Sequence, residues 1–257
     1  MCQYILEAKK LKKVYGLLSK NEFEALHDIN FQVKEGEFVC VMGPSGSGKS
    51  TFINNISTID MPTKGLVYIN GVEIKTMSSN EIGRFRYQNL GFIFQDFNLL
   101  ETHTLYENIA MPLSLAKLDK QEIKVRINEV AKKMNIESLL DKYPYECSGG
   151  QKQRAAICRA LVNQPKIIIA DEPTGNLDSV HSQELLEILK QLNKEQNVTI
   201  IMVSHDPMIA SYSSRLVYIK DGNIEEELLK GELSQEEYFL RIVEINSAES
   251  RILLKHL

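Results

Sequence analysis

No two of the four cysteines, at positions 2, 40, 147 and 158 of this 257-residue chain, stand at CxxC or zinc-site spacing. Three of them fall inside or beside segments that read as strand, motif or helix, so reduced thiols in a reducing compartment are expected. An excess of one charge is also missing. Thirty Lys+Arg stand against 34 Asp+Glu, a formal net charge of −4, which leaves no overall field for DNA, RNA or an anionic lipid surface. The one dense basic stretch near the N-terminus, Lys9-Lys10 and Lys12-Lys13, reads as a solvated strand edge. No apolar run reaches the ~18 residues that a bilayer span needs; the longest pieces are of the kind Val198-Thr199-Ile200-Ile201-Met202-Val203. Met1 to Leu6 is too short for a signal-peptide core before Glu7 and the lysines. These absences lead to the expectation of a chain that is cytosolic, or held at a membrane through a partner, with no nucleic acid and no direct membrane insertion. Disorder is excluded by a 43% hydrophobic share, and the length suits one large α/β domain or a domain with a subdomain.

The most specific feature present is Gly43-Pro44-Ser45-Gly46-Ser47-Gly48-Lys49-Ser50-Thr51, directly after the apolar run Phe38–Met42. Strand, glycine-rich loop and helix start in that order make a phosphate-binding loop. Its backbone N–H groups turn inward toward phosphate oxygens, and the helix beginning at Lys49 adds its positive end. Lys49 neutralises β/γ-phosphate charge, and the Ser50 hydroxyl suits Mg²⁺, which prefers oxygen ligands. Nucleotide binding follows.

Around this loop, Ile29, Phe31 and Val33 alternate with polar residues, Glu35-Gly36 turns the chain, and Phe38–Met42 reads as a buried strand. An antiparallel pair feeding the loop is therefore expected. Asn70-Gly71 and Asp221-Gly222 mark two further hairpins. Ile167–Ala170 and Thr199–Val203 are short, β-branched and unalternating, as central parallel strands are. A helix over about Ser179–Glu195, with Leu185, Leu186, Ile188, Leu189 and Leu192 on one face, connects them. From Phe97 to Val162 the pattern becomes helical, with Pro112 and Pro144 as breaks, which predicts an inserted helical subdomain. The fold expected is α/β, a P-loop core with antiparallel hairpins, over 1–225. A tail at 226–257 follows, in which Ser234-Gln235-Glu236-Glu237 is a capping box before the apolar face of Tyr238, Phe239, Ile242 and Val243.

Asp171-Glu172 ends the Ile167–Ala170 strand, where a parallel sheet presents its ligand-binding edge. Asp171 is placed to hold the Mg²⁺ shell, and Glu172 to orient or deprotonate the water that attacks the γ-phosphate. Ser148-Gly149-Gly150-Gln151 leads straight into the helix-compatible segment Ala155–Leu161, giving a second anion site at a helix N-terminus. One triphosphate has little use for two such sites in a single chain, so two chains sharing it is the economical arrangement.

The Ser-Gly-Gly-Gln signature, with a phosphate loop before it and an Asp-Glu strand end after it, resembles the ATP-binding-cassette family over roughly Ile5–Ile224. The resemblance implies the RecA-like cassette architecture and a head-to-tail homodimer. Two ATP molecules would close between the phosphate loop of one copy and Ser148, Gly149 and Gln151 of the other. It further implies that Tyr15 stacks on adenine, that Gln95 touches Mg²⁺ and water and reports to a membrane partner, that Asn176-Leu177-Asp178 crosses the dimer interface, and that His205 contacts the γ-phosphate. Two departures stand out. Cys147 replaces the usual Leu and Phe52-Ile53 replace two aliphatics; both are apolar and should pack, and neither removes a catalytic group, so hydrolysis is expected.

Gly175-Asn176-Leu177-Asp178-Ser179 and Asn98-Leu99-Leu100-Glu101-Thr102 resemble the subgroup serving lipoprotein release, macrolide export and cell division. Ser57-Thr58-Ile59-Asp60, Phe94–Leu100, Tyr106–Leu113 and Lys142-Tyr143-Pro144-Tyr145-Glu146 are most similar to bacitracin-type peptide-resistance transporters. That likeness implies a homodimer bound to a large bacterial permease, antimicrobial-peptide resistance, and signalling to a sensor histidine kinase. Hydrophobic residues between Phe97 and Leu115 would then line the groove for the permease's cytoplasmic helices. Two rival readings are open to the sequence. A soluble cassette acting on DNA or ribosomes usually carries a coiled-coil insertion, zinc cysteines or a second cassette, none of which is here. A non-hydrolysing nucleotide switch is argued against by Glu172 and His205.

Overall fold

The structure, a computed structural model, describes residues 4–17 and 21–254, with side chains through Ser247. Cys2 and the start of the Met1–Leu6 segment lie outside the described residues. The chain divides into two compact units, residues 1–76 with 190–257, and residues 77–189.

In the first unit, β1 (Leu6–Tyr15), β2 (Phe23–Val33), β4 (Lys64–Ile69) and β5 (Val72–Glu73) form an antiparallel sheet in the order β2-β1-β4-β5. The Asn70-Gly71 hairpin is present, with φ of 52° and 77° at its two corner residues, the left-handed pair that a type I′ turn requires. The lysines of β1 do not lie on an edge. β1 pairs on both sides, and three of its four lysines are tied down by carboxylates instead: Lys9 to Glu7 at 2.8 Å, Lys12 to Glu24 at 2.7 Å and Lys13 to Asp60 at 2.7 Å.

A second sheet region of this unit carries β3 (Phe38–Met42), β8 (Thr199–Val203), β9 (Arg215–Lys220) and β10 (Asn223–Leu229), in the order β10-β9-β3-β8. β3 is parallel to both its neighbours, and β10 returns antiparallel along β9 through Asp221-Gly222. The expected antiparallel pairing of the Ile29–Val33 strand with Phe38–Met42 is not what forms. β2 pairs with β1, from Leu6 opposite Val33 to Tyr15 opposite Phe23. All five β3 residues are buried, which demands cover on both faces and strands on both edges. β2 buries alternate residues over Ile29–Val33, and suits a sheet with one wet face. The turn between them, with Gly36 at φ 75° and Glu37 N–H donating to Lys34 O at 3.2 Å, carries the chain from one sheet to the other.

Helix α1 (Lys49–Ile56) follows the glycine-rich loop and buries Phe52, Ile53 and Ile56, each worth about 1.5–3 kcal/mol relative to exposure. Phe52 meets Phe31 edge-to-face with centroids 5.1 Å apart. The short α7 (Pro207–Ala210) packs against α8 (Gln235–Leu254). The latter starts with the expected capping box: Ser234 N–H donates to Glu237 Oε2 at 2.8 Å, and Glu237 N–H to Ser234 Oγ at 3.2 Å. Tyr238 and Ile242 are its buried anchors.

The second unit contains α2 (Ser79–Asn89), β6 (Leu90–Phe94), α3 (Leu105–Leu115), α4 (Lys120–Lys133), α5 (Gly149–Leu161), β7 (Ile167–Asp171) and the first part of α6 (Ser179–Gln196). Between 97 and 162 all regular structure is helical. Pro112 does not break the chain there. α3 runs through it and stops within a turn, since Pro112 costs one backbone donor while its carbonyl still accepts from Ala116 N–H at 3.1 Å. Pro144 opens a short 3₁₀ turn. α3 and α4 pack on α5 through buried Ile109, Leu113, Ile127, Ala131 and Ile157. β6 and β7 are parallel, from Leu90 opposite Ile167 to Phe94 opposite Asp171.

Candidate nucleotide site

In the first unit the glycine-rich loop leaves the C-terminal end of β3, the edge where parallel sheets bind ligands. Two of its glycines are required by close backbone approach. Gly48, the N-cap of α1, has φ 100°, and a Cβ there would lie 2.7 Å from Ala25 O; a Cβ at Gly43 would collide with the Ile219 carbonyl. The loop is braced from below, with Gly222 N–H donating to Ser47 O at 3.0 Å and His27 N–H to Gly222 O at 2.9 Å. Lys49 is buried, its Nζ donating to Gly43 O at 2.9 Å and Pro44 O at 2.8 Å. Ser47 Oγ is buried and has no hydrogen-bond partner among the described residues. An orphaned hydroxyl in a glycine-rich loop at a helix N-terminus fits a phosphate oxygen. Ser50 is exposed in the first turn of α1, and its hydroxyl is a hard oxygen donor suited to Mg²⁺.

Neighbouring strand β8 brings His205 to the same edge. Val41 pairs with Val203, and Ser204 N–H donates to Val41 O at 3.2 Å, so the exposed His205 leaves the sheet beside the loop. Asp206 then caps α7, accepting from Met208 N–H at 2.7 Å. Tyr15, 41% exposed at the end of β1, is held by Asp60 Oδ2 at 3.1 Å with Lys13 Nζ 5.0 Å from its ring centroid. An exposed, anchored ring is what base stacking needs.

In the second unit the register places Phe94 opposite Asp171, so Gln95 and Asp171-Glu172 leave adjacent strand ends on one edge. Glu172 has φ 44°, a left-handed conformation that costs a non-glycine residue on the order of 1–3 kcal/mol and is held only where the surroundings insist. The loop after it is built by Gly175 N–H donating to Glu172 O at 3.0 Å and Leu177 N–H to Thr174 O at 3.0 Å. Asn176 Nδ2 donates to Gln95 O at 3.1 Å and Asp96 Oδ1 at 2.8 Å. The Gln95 segment and the Asn176-Leu177-Asp178 loop are thereby one piece. The carboxylate of Asp171 and the amide oxygen of Gln95 are again hard donors of the kind Mg²⁺ takes.

Ser148 is the N-cap of α5 in a full capping box: Gln151 N–H donates to Ser148 Oγ at 3.4 Å and Ser148 N–H to Gln151 Oε1 at 3.0 Å. Ser148 and Gly149 are exposed, so this positive helix end faces solvent. Cys147 is only half-buried rather than packed, with its thiol directed at Tyr143 O at 3.5 Å; partial burial still pushes the thiol pKa up. It follows a 3₁₀ turn whose exposed Tyr143 and Tyr145 stack on each other.

Two contacts here had no reading in the sequence. Buried Gln153 donates its Nε2 to Pro173 O at 3.0 Å, fixing the loop after Glu172 to α5. His181 binds Asp178. The first joins positions twenty apart with no motif spacing to announce it, and the second is visible only as a His three residues after an Asp at a helix start.

Comparison with known proteins supplies the family. A family profile, ABC transporter, matches residues 26–175. Among curated proteins, the chain is 46% identical over 244 residues to the ABC transporter ATP-binding protein YxdL of Bacillus subtilis, covering 95% of this chain and 93% of that protein. It is 47% identical over 239 residues to the bacitracin export ATP-binding protein BceA of Halalkalibacterium halodurans, covering 93% and 94%. Among solved structures, the dimeric post-hydrolysis state of the cassette MJ0796 bound to ADP and Pi superposes with a TM-score of 0.80 at 39% identity, covering 87% of this chain and 98% of that one. The chain belongs to the ABC transporter family. Within it, the chain is an ATP-binding subunit and an ATPase with the α/β cassette fold.

Proposed function

We propose that this chain is the ATP-hydrolysing subunit of a bacterial transporter whose permease confers resistance to, or sensing of, antimicrobial peptides of the bacitracin class. The observation that carries the reading is the near-full-length likeness to a bacitracin export ATP-binding protein, joined to the cassette-like motifs that the sequence carries in order. On this reading the glycine-rich loop from Gly43 to Thr51 cradles the phosphates, Lys49 offsets their charge, and Tyr15 carries the adenine. The hydroxyl of Ser50, and in the other unit the oxygens of Asp171 and Gln95, are the donors that would suit Mg²⁺, which would polarise the γ-phosphate. Glu172 takes the proton from, or orients, the attacking water, and His205 hydrogen-bonds the γ-phosphate. Ser148, Gly149 and Gln151 present the exposed end of α5 to the nucleotide on a second copy, and Asp178 crosses between the copies.

The helical stretch 97–162 is proposed as the subdomain that meets the permease at the cytoplasmic face of the membrane; among the described residues no helix is long and apolar enough to cross one. A groove of about 1180 Å³ opens in the second unit among α2, β6, α3 and α5. Its apolar wall includes Phe92, Phe94, Met111 and Leu115, and its other lining residues include Arg84, Arg86, Lys117 and Arg159 but no carboxylate. A short permease helix with an apolar face and acidic residues suits that lining.

Tagging the protein in its native cell, solubilising the membranes gently and identifying the co-purifying permease tests the reading. A large permease with an extracellular domain is expected. A small division-type, lipoprotein-type or macrolide-type permease would replace the peptide-resistance reading, and recovery with ribosomes or DNA alone would remove transport. For the catalytic assignment, Glu172→Gln should keep ATP binding, lower turnover by orders of magnitude and trap a dimer; unchanged turnover would take Glu172 out of its role.

A further inference from the structure

We propose that His181 is a positioning residue that fixes the Asp178 loop against the signature helix, so that the two segments offered to a second copy are set as one rigid surface. His181 lies in the first turn of α6. Its Nδ1 is 2.8 Å from both Asp178 carboxylate oxygens, and its backbone N–H donates to Asp178 Oδ1 at 2.9 Å. A carboxylate only accepts, so Nδ1 carries the proton. These two donors hold the Asp178 carboxyl below its ordinary range, the backbone N–H first and the side chain second. The far side of the ring closes on α5. A Cβ built on Gly150 would lie 2.6 Å from His181 Cδ2 and 3.0 Å from Nε2, so the glycine leaves room for the imidazole.

The geometry therefore makes one side chain a strut between Asp178 and the Ser148–Gln151 turn. Asp178 on its own would keep its N-cap bond to the His181 backbone, but its carboxylate would be free to rotate and α5 would lose the ring beside Gly150. Leucine at 181 fills space without a donor. Asparagine places an amide N–H close to where Nδ1 stands, so it restores the donor while losing most of the ring. The backbone cap survives in either variant, which separates the strut from simple helix stability.

This inference rests on the dimer reading above, and the experiment keeps the two apart. ATP-driven association is followed by light scattering in Glu172→Gln alone and combined with His181→Leu or His181→Asn, and steady-state hydrolysis is measured for the single His181 variants in the otherwise native chain. For an exposed hydrogen-bonded pair the half-saturating ATP concentration should rise about three- to fivefold in His181→Leu, with kcat largely kept. His181→Asn should return most of that shift. A merely structural role would lower kcat through loss of active protein and leave KM alone. Association of the leucine variant at the parent's ATP concentration, or failure of asparagine to improve on leucine, would overturn the inference. Failure of the Glu172→Gln parent to associate at all would remove the dimer reading and this inference with it.

Discussion

Lys49 shows how far chemistry at one position can be read. A glycine-rich loop after an apolar strand needs a cation at that point to offset phosphate charge, and the structure buries the ammonium against two loop carbonyls, Gly43 O and Pro44 O. Lys49→Ala removes charge-assisted donors worth ~1.5–3 kcal/mol each. Calorimetric titration with Mg-ATP should therefore show affinity at least about tenfold weaker with the fold retained, and normal affinity would refute the role. The loop, Asp171-Glu172 and Ser148-Gly149 can be proposed from the sequence because their chemistry depends on residue type at short spacing, whereas His205 is proposed only through the family resemblance. The contacts that support them cannot be read this way. Asn108 gathers Leu100 N–H on its oxygen at 2.8 Å and gives its amide to Leu100 O, His103 O and Thr104 O at 3.0–3.1 Å, and Arg159 reaches Phe97 O at 2.7 Å. Such contacts pin backbone at irregular distances, which no periodicity encodes.

Elements were legible where a single local rule decides them. The two Asx-Gly hairpins, the buried strands Phe38–Met42, Ile167–Asp171 and Thr199–Val203, and the capped α8 all formed as their patterns require. Pairing was a different matter, because alternation in β2 states which faces are wet but not which strand lies alongside, and β1 rather than β3 won that place. Tyr238 gives α8 a measurable signature. Its ring is fully buried, its Oη donates to Leu228 O at 3.3 Å, and burial pushes its pKa from 10.0 up to about 12. A raised phenol pKa favours the neutral folded form, so its contribution is complete below pH 10, the unfolded value, and is lost as pH rises to about 12. The loss amounts to at most about 3 kcal/mol. Urea unfolding at stepped pH should show this fall, and Tyr238→Phe should flatten it above pH 10. The buried Cys40 and Cys158 thiols, also pushed up by burial, begin to contribute at lower pH and should persist in the variant.

A formal charge of −4 argues against anionic partners for the chain taken as one body, yet charge is distributed, and the groove beside β6 concentrates the opposite sign. Arg84, Arg86, Lys117 and Arg159 line it with aromatic and aliphatic neighbours and no carboxylate. Arg159 is fixed by the backbone carbonyls of Phe97 and Asn98, and burial lowers the pKa of both Arg86 and Arg159, so the surface is partly desolvated, where charge pairing gains in strength. Of the stretch Phe97–Leu115 read as a permease surface, Met111, Pro112 and Leu115 line this groove and Phe97 does not; the cations come from α2, α5 and the second residue after α3, and only folding brings them together. Reversing two of them, Arg84→Glu with Lys117→Glu, leaves the nucleotide residues untouched. ATP hydrolysis by the isolated subunit should stay within about twofold of the parent, because neither side chain belongs to the phosphate site. Recovery of the permease in a tagged pull-down should fall by an order of magnitude or more, as like charges meet across the interface at a cost of about several kcal/mol. The parent complex should also weaken as salt rises, since screening acts on exposed pairs first. Undiminished recovery with both charges reversed would show that the permease element is not acidic, and would leave apolar contact from Phe92, Phe94, Met111 and Leu115 as the binding force.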